Sequence, residues 1–168
     1  MPLALALLAG AAQAQDWPAW ALNPPAGELA AGECIKASGS MGLDRQQATA
    51  RARLALAQQI DVKIEAMDQT YESRVKDGKA ERLVSSFTSS SKQIVSLSLQ
   101  GARVTRTEQV KARGGDLLCV LVSLEPKAAE KLPGDVIRSA GVKPDEDTEG
   151  MLLARFKQAA AARSQPQS

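Results

Sequence analysis

The stretch Ala48–Asp68, ATARARLALAQQIDVKIEAMD, decides how the chain is to be read. Asp44 stands where an N-cap would, and Gln47 three residues later completes the sequence form of a capping box. Ala48, Ala52, Ala55, Leu56 and Gln59 recur at three- and four-residue spacing, a narrow face of small side chains that can press closely on a sheet. From Ile60 the spacing changes. Ile60, Val62, Ile64 and Ala66 alternate with Asp61, Lys63, Glu65 and Met67, the period of a half-buried strand. The pattern predicts a helix over 44–59 running into a strand over 60–71, with no Pro or Gly between them.

On either side, 33–41 (ECIKASGSM) reads as a first strand closed by glycines, and 76–80 as a turn around Asp77-Gly78. The segment 81–99 is ambiguous. Leu83, Val84, Phe87, Ser91, Ile94 and Val95 fit a helical face, whereas Val95, Leu97 and Leu99 begin an alternation, and seven serines weaken either assignment. Helix is the assignment taken. The serines suit a small-residue helix face better than a modified or ligand-binding loop, because apolar residues still recur among them.

Residues 102–111 alternate through Val104 and Val110, and Arg113-Gly114-Gly115-Asp116 suits a hairpin connection. Leu117–Leu124 is nearly continuous apolar β-former, so this strand should lie inside the sheet with both faces covered. A short helical turn is expected over 127–132, before Pro133-Gly134. A last helix is expected over 148–163, with acidic residues at its start and Lys157 and Arg163 near its end. Met151, Leu152, Phe156 and Ala159 form its apolar stripe. The order predicts an α+β fold, a two-layer βαβ(α)ββ sandwich with a mostly antiparallel sheet and a C-terminal helix.

Residues 1–14, MPLALALLAGAAQA, carry no charge and end in a small-x-small cleavage pattern, so an export signal cut before Gln15 is expected. No Lys or Arg precedes the apolar run, which is consistent with a start assigned too late. Removing the signal leaves ~154 residues, an ordinary size for one domain with its own core. Residues 15–32 hold three prolines and two glycines and read as an extended arm carrying Trp17 and Trp20. The expected organisation is signal 1–14, arm 15–32, α+β domain 33–126, helical extension 127–163 and a disordered tail 164–168.

The chain has no histidine, which removes Ser-His and Cys-His nucleophiles, His-containing zinc sites and His proton shuttles. There is no P-loop, dinucleotide fingerprint, Cys-x-x-Cys or nucleophile elbow. Asp61, Glu65 and Asp68 could suggest a carboxylate cluster, but in a strand Asp61 and Glu65 point the same way as Lys63 and read as a solvent-facing ladder, and the acids around Asp145–Asp147 lack the glycine and spacing of a calcium loop. Net charge is +2 with both signs interleaved along the sequence, so no nucleic-acid partner is expected, and neither is a cofactor or metal. Cys34 and Cys119 are the only thiols, either bridged or separately buried; export and the even count favour a disulfide.

WPAWALNPP (17–25), GECIKASGSM (32–41) and LDRQQATARARLALAQQIDVKIEA (43–66) together resemble the bacterial twenty-kilodalton outer-membrane lipoprotein family, to which the flagellar assembly proteins T and P are related. In that family an extended segment leads to a glycine-bearing strand, a helix with Ala-Arg and Leu-Ala pairs, an Ile-x-Val strand, a serine-rich stretch and a hairpin with a strongly apolar last strand. Ala50-Arg51-Ala52-Arg53, Leu54-Ala55, Ile60-Asp61-Val62 and Leu118–Leu124 take those places, and the likeness covers roughly 17–126. The family's lipoproteins carry a lipidated cysteine after Leu-Ala-Gly; here Leu8-Ala9-Gly10 is followed by Ala11. The resemblance therefore implies an unlipidated periplasmic protein, at most peripheral to the outer membrane. It implies a structural or assembly role in an envelope machine such as the flagellar basal body, with no enzymatic activity. The partners implied are envelope or flagellar proteins, or a second copy of the chain. Candidate docking residues are Trp17 and Trp20 on the arm and Met151, Leu152 and Phe156 on the last helix. The alternative is a periplasmic binding module for a small ligand or a cell-wall polymer such as peptidoglycan.

Overall fold

The computed structural model describes residues 17–25, 28–74, 80–141 and 143–161. The expected signal and tail, and most of the turn around Asp77-Gly78, lie outside the described residues. The elements in chain order are α1 (Ala19–Leu22), β1 (Ala30–Lys36), α2 (Met41–Arg74), α3 (Ala80–Gln100), β2 (Arg103–Val110), β3 (Leu117–Ser123), α4 (Pro126–Ser139) and α5 (Glu146–Ala161). The fold is α+β, with an antiparallel three-stranded sheet in the order β1-β3-β2 and a C-terminal helix.

Residues 60–71 are not a strand; they continue α2, a single helix of 34 residues. Ile60-Asp61-Val62, placed in a strand by the family resemblance as well, lies in the middle of it. The buried positions show why. Ala48, Ala52, Leu56, Ile60, Ile64, Met67 and Tyr71 are spaced by four, four, four, four, three and four, so one helical stripe runs the full length. Lys63 and Met67, which the alternation put on the outer face, are buried.

At about 1.5 Å per residue α2 is roughly 50 Å long, whereas strands of seven or eight residues span only about 25 Å. The helix therefore outruns the sheet. Its first half lies on one sheet face, where Ala48 and Ala52 have no exposed surface and let the backbone approach Ala31, Ile35, Leu118, Val120 and Val122. The second half is covered by α3 and α5. Tyr71 stacks on Phe87 at 5.1 Å between ring centroids, and Leu152 and Phe156 of α5 join the same core.

β3 is central, as its unbroken apolar sequence requires: every residue from Leu118 to Ser123 is buried. Leu118, Val120 and Val122 face α2, and Cys119 lies on the opposite face. β1 runs from Ala30 to Lys36, so residues 37–41 of the strand expected over 33–41 are not part of it: the chain turns at 37–40 and enters α2 at Met41. Asp44 does not cap from outside the helix. From within the first turn its carboxylate accepts the Ser38 N–H at 2.9 Å and the Ser38 hydroxyl at 2.6 Å, closing the β1–α2 loop.

α3 follows the expected helix. α4 does not stop at Pro133; it runs through Pro133-Gly134 to Ser139 because Leu132, Val136 and Ile137 are buried in the core. An interior proline costs a backbone hydrogen bond, and this apolar burial outweighs it. α4 and α5 thus belong to the same core as residues 33–126 and are not an appendage. The arm is also not wholly extended: it holds the one-turn helix α1, and its last three residues open β1.

Candidate interaction surfaces

The sheet face away from α2 carries the arm. Cys34 and Cys119 are register partners on β1 and β3 and form a disulfide. The expected bridge is present. Over it lies α1, with Ala21 buried against both cysteines and Trp17 and Trp20 packed around them, together with Val110 and Leu117. Gly32 permits this approach: a Cβ there would stand 2.5 Å from the Ala21 Cα and carbonyl oxygen. Any side chain at position 32 would therefore lift α1 off the sheet.

Trp20 reaches beyond the bridge to the far edge strand. Its indole Nε1–H donates to Glu108 Oε2 at 3.0 Å, and the Arg106 guanidinium stands 4.8 Å from the ring centroid. Arg106 and Glu108 are themselves paired at 3.4 Å. The arm is a strap across all three strands, tied at its end by a cation–π contact and an exposed hydrogen bond. The tryptophan side chains, candidates for docking a partner, are committed to covering the sheet, and both are half-buried. Nothing in the sequence signalled Arg106 and Glu108, because their partner lies on a distant segment.

The α5 stripe is likewise used within the chain. Leu152 is wholly buried and Phe156 is 5% exposed, so neither presents a docking surface. Met151 is half-buried and accepts a contact from Arg74 Nη2 at 2.9 Å, joining the start of α5 to the end of α2. Asp145 caps α5 by accepting the Thr148 N–H at 2.7 Å, and the Thr148 hydroxyl, followed by this backbone bond, holds the exposed carboxyl below the usual aspartate range.

Two charged groups are drawn into the helical layer. The Lys63 ammonium donates to the Phe156 carbonyl at 3.1 Å and lies 4.8 Å from the Phe156 ring, while burial lowers its pKa. Asp68 accepts the Thr88 hydroxyl at 3.2 Å, but its other oxygen is buried without a partner. Desolvation raises its pKa, with the hydroxyls of Thr88 and Ser91 opposing. Asp61 and Glu65 are exposed, as expected, although on a helix and not a strand.

The serine run has a packing role. Ser86 and Ser90 donate to the carbonyls of Ala140 and Ser139, which end α4 and have no partner within their own helix. Among the described residues no three His, Cys, Asp or Glu side chains come together as a metal site. No helix among them is long and apolar enough to cross a membrane. No protein-family model matches the chain, and no curated protein matches it.

Proposed function

We propose that this chain is a non-enzymatic protein of the bacterial envelope, exported to the periplasm, where it serves as a structural or assembly component of an outer-membrane-associated complex such as the flagellar basal body. The observation that carries this is the Cys34–Cys119 disulfide, because such a bond persists in an oxidising compartment and is rare in the cytosol. The apolar segment 1–14 with its cleavage pattern points the same way. The order of the segments resembling the twenty-kilodalton lipoproteins supports an envelope role.

Affinity capture from cross-linked envelopes, paired with a deletion strain, tests the proposal. Recovery of outer-membrane or motor proteins with loss of swimming supports the assembly role. A chain that comes down alone, from a deletion strain that swims normally, contradicts it. Capture on purified cell wall with general envelope sensitivity would instead select the binding-module alternative.

A further inference from the structure

Charges that are interleaved in the sequence are separated in space along α2. At its N-terminal end the sheet closes with Lys36, the β1–α2 loop and the β2–β3 hairpin side by side. The Ala37 N–H donates to the Asp116 carbonyl at 2.8 Å, and Lys36 lies over Gly115, whose left-handed φ of +113° turns the hairpin. Lys36, Arg45 and Lys111 are exposed at this end. Arg113 and Asp116 in the turn offset one another in sign, and Asp44 is buried against Ser38.

Two large apolar side chains share the same tip. Met41 is 53% exposed and Leu43 51% exposed, both in the first turn of α2. Helical side chains tilt toward the N-terminus, so first-turn residues project past the helix end. Neither side chain belongs to the core.

Among the described residues the opposite end has the other sign. Arg74 at the end of α2 touches Met151, which brings the start of α5 there, with Asp145, Glu146, Asp147 and Glu149 exposed around it. Arg74 and Lys143 offset only part of this charge. The two ends are roughly 50 Å apart.

We infer that the tip formed by the β1–α2 loop and the β2–β3 hairpin is a peripheral contact for an anionic bilayer surface. Met41 and Leu43 enter the headgroup layer, Lys36, Arg45 and Lys111 meet lipid phosphates, and the acidic end points away. The pairing of exposed apolar side chains with flanking cations is what a bilayer interface selects, since a soluble polyanion would make no use of the apolar pair. This deepens the envelope role proposed above by naming a surface, but its test needs only lipid and so fails or succeeds separately.

The test is co-sedimentation of the processed full chain with phosphatidylcholine vesicles containing about a third phosphatidylglycerol, a leaflet of substantial negative potential. Every variant carries the same N-terminus, so any contribution from the residues ahead of Trp17 cancels. Binding is expected to the anionic vesicles and to weaken sharply at about 0.5 M salt, where screening shortens to roughly 4 Å. Lys36→Gln, Arg45→Gln and Lys111→Gln together should weaken it on the order of a hundredfold, from about fivefold per cation. Met41→Ser with Leu43→Ser should weaken it at least about tenfold. These side chains are exposed, and an unchanged thermal melt checks that folding is intact. No binding to anionic vesicles, equal binding to pure phosphatidylcholine, or full binding by either variant set would overturn the inference. Loss with the charge variants alone would mean a soluble or cell-wall polyanion in place of a bilayer.

Discussion

Gly32 of β1 lies directly beneath the backbone of Ala21, so close that a single added methyl carbon would stand 2.5 Å from it. This contact seats the tryptophan strap on the disulfide face, and it exists only because one position in the strand lacks a side chain.

Gly32→Ala is therefore expected to lift the strap. The loss should be about 1–3 kcal/mol, the usual range for overpacking. Tryptophan emission should shift to the red as Trp17 and Trp20 become wetter, while far-ultraviolet dichroism stays as it was. A variant as stable as the parent with unchanged emission would show that α1 does not rest on β1.

Removing the bridge with Cys34→Ala and Cys119→Ala together should cost about 4.5 kcal/mol, the loop-closure value for a separation of 85 residues. Denaturant unfolding of the two proteins measures it. A loss well under about 1 kcal/mol would mean that the bridge does little to restrict the unfolded chain.

Leu152→Ala should cost about 2–5 kcal/mol as a core cavity, whereas Leu54→Ala, at a position 60% exposed, should be near neutral. Thermal melts decide this. Equal small effects at both sites would place the α5 stripe on the surface after all.

Lys63 and Asp68 should give stability profiles of opposite slope. Burial lowers the folded-state pKa of Lys63, so the unfolded chain binds more protons in the window below the ordinary lysine range. Stability of the parent relative to Lys63→Met should rise as pH increases from neutral into the alkaline range. Burial raises the folded-state pKa of Asp68, so the folded chain binds more protons just above the ordinary aspartate range. Relative to Asp68→Asn, the parent should do best in acid and lose ground as pH rises toward neutral. Denaturant midpoints across pH read both differences, and parallel profiles for parent and variant would mean that neither group is desolvated.

Some of this was legible in the residues and some was not. The apolar run of β3 announced a strand covered on both faces, and Ala48, Ala52 and Leu56 announced a close-packed helix face. Residues 60–71 misled because Ile60, Val62 and Ile64 satisfy a period of two, while Leu56, Ile60, Ile64, Met67 and Tyr71 satisfy the helical period equally well. The missing signal was there to be weighed: no Pro or Gly stands between Leu43 and Asp77, and an uninterrupted run of that length favours one element over two. α4 misled in the other direction, since Pro133 reads locally as a stop and only the burial of Val136 and Ile137 carries the helix past it. The Trp20–Glu108 link could not be read at all, because it depends on the strap folding back over a sheet whose order the sequence leaves open.

The most direct test of a disulfide-stapled, exported domain is thiol trapping on fractionated cells. Cells are quenched with an alkylating reagent before lysis, the periplasm is separated, and the N-terminus and both cysteines of the recovered chain are identified by mass. The expected result is a periplasmic protein beginning near Gln15, with Cys34 and Cys119 blocked from alkylation until a reductant is added. A cytosolic protein that keeps residues 1–14 and carries two freely alkylated cysteines would contradict it.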